Sequence, residues 1–173
     1  MVNRFLGYGF KWVLVILIQL LLLNDLSLHG YVRPFVYPFL ILMLPAETSL
    51  WIVLCTSFLL GLVVDLDFNT PGMHASALTL LAFLRPVVLS AIAPQGGYPK
   101  DIMLNVQNFG FTWYLKYAGI LVLIHHLYYF FILFFSTSQV VEILLSALLS
   151  SIVSLVLIVI LELILNSHIK QLR

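Results

Sequence analysis

The chain has 173 residues, of which 62% are hydrophobic and only 9% charged, against roughly a quarter charged in an average soluble domain. Eight Lys/Arg and seven Asp/Glu cannot supply a polar skin, so a soluble globular domain is excluded, as is disorder, which needs low hydrophobicity and high charge. A net charge of +1 leaves no electrostatic footprint for nucleic acid, and a single cysteine, Cys55, excludes a disulfide framework.

What remains is an all-α polytopic membrane protein, one integral domain over 1–173 with little extramembrane mass. A bilayer core of about 30 Å takes around 20 helical residues, and six segments fit. The first, 5–23, follows Arg4, contains Gln19 and leads into Asn24-Asp25-Leu26-Ser27 with no small-x-small cleavage site. It therefore reads as a retained transmembrane helix rather than a signal peptide. The second, 32–44, is short and carries Pro34 and Pro38, so it is either kinked or reaches only part way. The third, 48–66, begins after Pro45. The fourth, 73–93, contains Arg85-Pro86, and the fifth and sixth cover 115–135 and 140–165. The apolar runs are too long for the alternating strands of a membrane barrel.

Lys/Arg bias sets orientation. With a cytoplasmic N-terminus, the inside holds Arg4, Lys11, Lys100, Lys116, Lys170 and Arg173, and the outside holds Arg33. Both termini are therefore expected in the cytoplasm, together with the 94–114 loop.

Helices in lipid associate through small residues. Ser146, Ser150 and Ser154 repeat at four-residue spacing in the sixth segment, Ser57 and Gly61 do so in the third, and Ser76 and Thr79 share a face of the fourth. These stripes are either internal seams or a surface for a partner helix, and spacing does not choose between them.

Charge within a span is costly and is usually paired or functional. Arg85 is the clearest case. Pro86 after it removes a backbone donor and frees a carbonyl one turn earlier. Arg85 is expected to staple helices through that carbonyl or through Asp65, Glu142 or Glu162. Asp65 and Asp67 end the third segment before the turn Asn69-Thr70-Pro71-Gly72, which suggests capping. His74 follows that turn and reads as satisfied core polarity. His125 and His126 point about 100° apart on a helix and make a poor chelate. No spacing of His with Cys, Asp or Glu matches a zinc site, and no phosphate loop, nucleophile elbow or metalloprotease motif occurs. No cofactor, metal or catalytic set is expected.

The string Gly61-Leu62-Val63-Val64-Asp65, followed by Pro71-Gly72-Met73-His74-Ala75, resembles the G-L-x-x-D…G-x-x-A signature of the bacterial rod shape-determining MreD family. The family's motif covers Gly61, Asp65 and Gly72. Length, six spans, cytoplasmic termini and small loops agree with it over most of the chain. The resemblance implies a non-enzymatic subunit of the bacterial inner membrane, within the machinery that builds peptidoglycan during elongation and sets rod shape. It implies binding to the bitopic protein MreC, and through it association with MreB filaments, the RodA glycosyltransferase and a penicillin-binding transpeptidase. It also implies a fold similar to the six-helix substrate-binding components of ECF-type vitamin transporters. A membrane small-molecule or lipid-binding transporter subunit is accordingly the alternative.

Overall fold

A computed structural model of the protein describes residues 2–23, 32–100, 102–135 and 139–166, with side chains from Gly9 onward. His29, His168, Lys170 and Arg173 lie outside the described residues. Seven α-helices form among the described residues: α1 (Val2–Ile18), which continues as a π-helical turn over Gln19–Leu23, α2 (Phe39–Leu42), α3 (Leu50–Phe68), α4 (Met73–Ala91), α5 (Val106–Phe109), α6 (Phe111–Phe134) and α7 (Val140–Asn166). No strand forms among the described residues.

Among the described residues four helices are long and apolar enough to cross a bilayer: α3 and α4 with 19 residues each, α6 with 24 and α7 with 27. At 1.5 Å per residue these measure about 28 to 40 Å. Their faces are sorted opposite to those of a soluble protein. Trp51, Leu66, Phe83 and Val141 are 56 to 81% exposed, whereas His74, His125, His126, Ser146, Ser150 and Ser154 are fully buried. Such sorting suits a lipid environment, and most of the buried polar groups find partners inside the bundle, though the Ser146 hydroxyl does not.

The second segment departs from expectation: residues 32–44 do not form a transmembrane helix. Only the single turn of α2 is helical there, headed by Pro38 in the αR conformation. Pro34 and Pro38 lack backbone N–H groups, and each disfavours helix at the residue before it. The chain instead runs as an inner segment through the middle of the bundle, with Phe35 to Met43 at most 2% exposed among their apolar members. Near its start Phe35 packs on His74, with ring centroids 4.9 Å apart. Near its end the Leu44 and Pro45 carbonyls meet Arg85. His74 and Arg85 are eleven residues apart on α4, so the inner segment follows that helix for about 16 Å.

Irregular backbone in a membrane is tolerated only where protein satisfies it. Ser150 Oγ accepts from Arg33 N–H at 3.0 Å, Ser154 Oγ from Phe35 N–H at 2.8 Å, and Gln19 Oε1 from Val36 N–H at 2.7 Å. Helices α1 and α7 thus hold one end of the inner segment, and α4 holds the other.

The described residues of the connection from α4 to α6 pack back on the bundle and contain α5, capped by the Asn105 side chain accepting from Asn108 N–H. Val106 N–H donates to Glu162 at 3.1 Å, Gln107 donates to the Asn166 carbonyl, and Lys11 donates to the Asn166 side chain. The Lys11 stretch of α1, the end of α7 and this connection therefore share one end of the bundle. The α3–α4 turn lies one helix length away, at the other end.

Candidate functional site

The α3–α4 joint gathers the motif residues. Gly61 and Asp65 lie four residues apart on one face of α3, and both meet the first turn of α4. A Cβ built on Gly61 would stand 2.3 Å from Ala75 Cα, 2.6 Å from Ala75 N and 2.8 Å from the His74 carbonyl oxygen. These are backbone atoms and cannot rotate away, so only glycine permits this approach. One turn on, Asp65 accepts four hydrogen bonds. Oδ1 takes Thr70 Oγ1 at 3.0 Å and His74 N–H at 2.9 Å, and Oδ2 takes Gly72 N–H at 3.2 Å and Ala75 N–H at 2.9 Å. The N-cap of α4 is Gly72, in the left-handed region at φ +86°. It has no side chain to cap with, and the carboxylate from α3 does so instead. Asn69, also left-handed at φ 52°, closes α3 by donating its N–H to the Asp65 carbonyl. A negative group among the first N–H groups of a helix also meets the favourable end of its dipole.

Arg85 is buried at the opposite end of α4. Its Nε donates to the Tyr117 hydroxyl at 2.8 Å, and its Nη2 donates to the carbonyls of Leu44, at short range, and Pro45, at 3.0 Å. Tyr117 in turn donates to the Leu42 carbonyl at 3.1 Å. The partner expected from Asp65, Glu142 or Glu162 is not the one used. Asp65 is saturated at the far joint, and Glu162 accepts from Val106 and Asn166. Nor does Arg85 turn back to the carbonyl that Pro86 frees. The inner segment ends at the Leu44 carbonyl, which no helix satisfies, and this carbonyl together with that of Pro45, which also accepts from Thr48, draws the guanidinium.

The small-residue stripes point inward. Ser57, Ser146, Ser150 and Ser154 are all buried. Ser150 and Ser154 accept backbone N–H groups of the inner segment, while Ser76 and Thr79 donate to carbonyls of their own helix, Met73 at 3.0 Å and Ala75 at 2.7 Å.

Sequence reasoning missed one constellation. The Tyr37 hydroxyl lies 2.9 Å from His74 Nδ1 and 2.7 Å from His125 Nε2. His126 bonds the Val122 carbonyl through Nδ1 at 2.8 Å and Ser154 Oγ through Nε2 at 3.0 Å. A carbonyl only accepts, so in neutral His126 Nδ1 carries the hydrogen and Nε2 accepts from Ser154. Phe35, Phe68 and Tyr129 close around His74 at centroid distances of 4.9, 4.7 and 4.6 Å. The signal available in the sequence was the pairing of intramembrane histidines with a proline-broken segment that must find polar partners. These side chains tie elements together, and no arrangement of nucleophile, base and oxyanion donors is recognisable among the described residues. Nor, among them, do three or more His, Cys, Asp or Glu converge as a metal site would require.

Comparison of the chain with protein-family models, with curated protein sequences and with solved structures found no match.

Proposed function

We propose that this protein is a non-enzymatic scaffold subunit of the bacterial cell-elongation machinery, of the MreD kind, that binds an MreC-like bitopic membrane protein in the inner membrane. The observation that carries the reading is the joint made by Gly61, Asp65 and Gly72. The three residues that match the signature are those whose chemistry the α3–α4 contact requires: a missing Cβ, a capping carboxylate and a left-handed N-cap. The absence of any catalytic grouping from the sequence motifs agrees with a scaffold.

In this reading the chain crosses the membrane six times, by α1 with its π-helical turn, the inner segment, and α3, α4, α6 and α7. Both termini and the 92–110 connection face the cytoplasm, as the Lys/Arg bias asks. The arrangement would be that of the ECF-type substrate-binding components. The serine stripe of α7 grips the inner segment, so the partner helix lies against outward apolar surface and not against Ser150 or Ser154. Through MreC the protein would connect to MreB, RodA and a penicillin-binding transpeptidase.

The test is co-purification with MreC from detergent-solubilised membranes, together with cell shape after depletion. Rounded cells and a recovered complex are expected. Rod-shaped cells after depletion, or recovery with a transporter ATPase in place of MreC, would favour the small-molecule-binding alternative.

A further inference from the structure

The inner segment is tied to the bundle through a group that has one hydrogen to share between two acceptors. Tyr37 Oη sits between His74 Nδ1 and His125 Nε2. With both rings neutral, one imidazole N–H donates to Oη, and Oη donates to the other ring. The two outer nitrogens, His74 Nε2 and His125 Nδ1, are buried and have no hydrogen-bond partner. An added proton has two places to go. On the ring that donates to Oη it occupies the outer nitrogen, leaving a buried imidazolium N–H unpaired, in the case of His74 within a cage walled by Phe35, Phe68 and Tyr129. On the ring that accepts from Oη it sets two donors against each other. Water relieves both states, and the bridge is fully buried, so water must be admitted by displacement of an element around it, of which the non-helical inner segment is held by single side-chain acceptors.

We propose that the His74–Tyr37–His125 bridge is a proton-operated latch, closed while both imidazoles are neutral and opened toward the inner segment when either is protonated. The charged and titratable groups around it come from three elements. The inner segment brings Arg33, which donates to Tyr129 at 3.5 Å and repels an added charge. From α3 comes Asp65, which attracts it but is committed to the backbone N–H groups of α4. His126 and Tyr129 come from α6. From α7 and α1 come the neutral Ser150, Ser154 and Gln19. The latch does not depend on the identity of any partner protein.

The test is hydrogen exchange of the full chain in lipid nanodiscs, corrected for the intrinsic effect of pH. Between about pH 7.5 and about pH 4.5, protection of the Phe35 and Val36 amides is expected to fall about tenfold or more, with the middle of α4 and α6 unchanged. The double variant His74→Gln with His125→Gln keeps hydrogen-bonding side chains but takes up no proton, and its profile should be flat. Tyr37→Phe should expose the same amides at neutral pH. A flat wild-type profile overturns the latch. So does a loss shared equally by α4 and α6, which is acid unfolding, or one centred on the His74 and Ala75 amides, which lies at the α3–α4 joint and not at the bridge. A double variant that retains the full pH effect overturns it as well.

Discussion

Ala75 Cα stands 2.3 Å from the position that a Cβ on Gly61 would take. The two helices touch backbone to backbone at this point, and one turn further on Asp65 reaches across to cap the helix that Gly61 admits. The contact and the cap depend on each other. If α4 were pushed away by a side chain at Gly61, the Asp65 oxygens would lose the His74 and Ala75 N–H groups.

Gly61→Ala is therefore expected to cost more than the usual gain of a methyl group on a helix. Overpacking of this kind costs about 1 to 3 kcal/mol, with loss of the cap added. Thermal unfolding of the detergent-solubilised protein should show a clear drop in midpoint, and Gly61→Leu should yield little folded material. Gly9→Ala is the control, since it lies in α1 and nothing lies within 4 Å of its Cβ position, and it should be neutral or slightly stabilising.

Asp65→Ala removes four acceptor contacts at once and leaves three backbone N–H groups and a hydroxyl without them. A cap alone is worth about 1 kcal/mol, and charge-assisted bonds more, so a loss of about 2 kcal/mol or more is expected. Asp65→Asn keeps one acceptor oxygen and should recover part of it. Equal stability of the alanine variant and wild type in a denaturant titration would remove the capping account.

Arg85→Leu strands the Leu44 carbonyl and one side of the Tyr117 hydroxyl in a buried setting, while the Pro45 carbonyl keeps the Thr48 N–H and hydroxyl, at a cost of about 1 to 3 kcal/mol. Lysine has no planar fork to reach three acceptors together, so Arg85→Lys should fall between Arg85→Leu and wild type. Tyr117→Phe should be milder than Arg85→Leu, because it removes one Arg85 contact and the bond to the Leu42 carbonyl but leaves the guanidinium on Leu44 and Pro45. Yield and thermal midpoint in detergent check the order.

Membrane orientation can be read by thiol labelling in a Cys55→Ala background. Gln107 packs against Asn166 and is a poor reporter, whereas Lys100 and Pro71 are exposed at opposite ends of α4. With both termini cytoplasmic, an impermeant reagent should label Pro71→Cys in intact cells and spare Lys100→Cys. The reverse pattern would invert the orientation.

The sequence by itself determined the elements whose physics is local. Hydropathy and length located α3, α4, α6 and α7 to within a few residues, because a lipid-facing helix must be apolar over its whole span. The turn at Asn69 to Gly72 was equally legible, since left-handed backbone and proline are written into the residues. Tertiary structure alone decided the rest. Pro34 and Pro38 announced that the second segment is irregular, but not that it threads the centre of the bundle. That depends on Ser150, Ser154 and Gln19, which come from other helices. Arg85 was visibly out of place in a span, yet its partners lie some forty residues away, at Leu44 and Pro45. They were chosen because irregular backbone leaves carbonyls open, a property no side-chain pattern records. The histidines read as unrelated for the same reason. His74 and His125 belong to different helices, and only Tyr37, held between them by the packed inner segment, makes them one group.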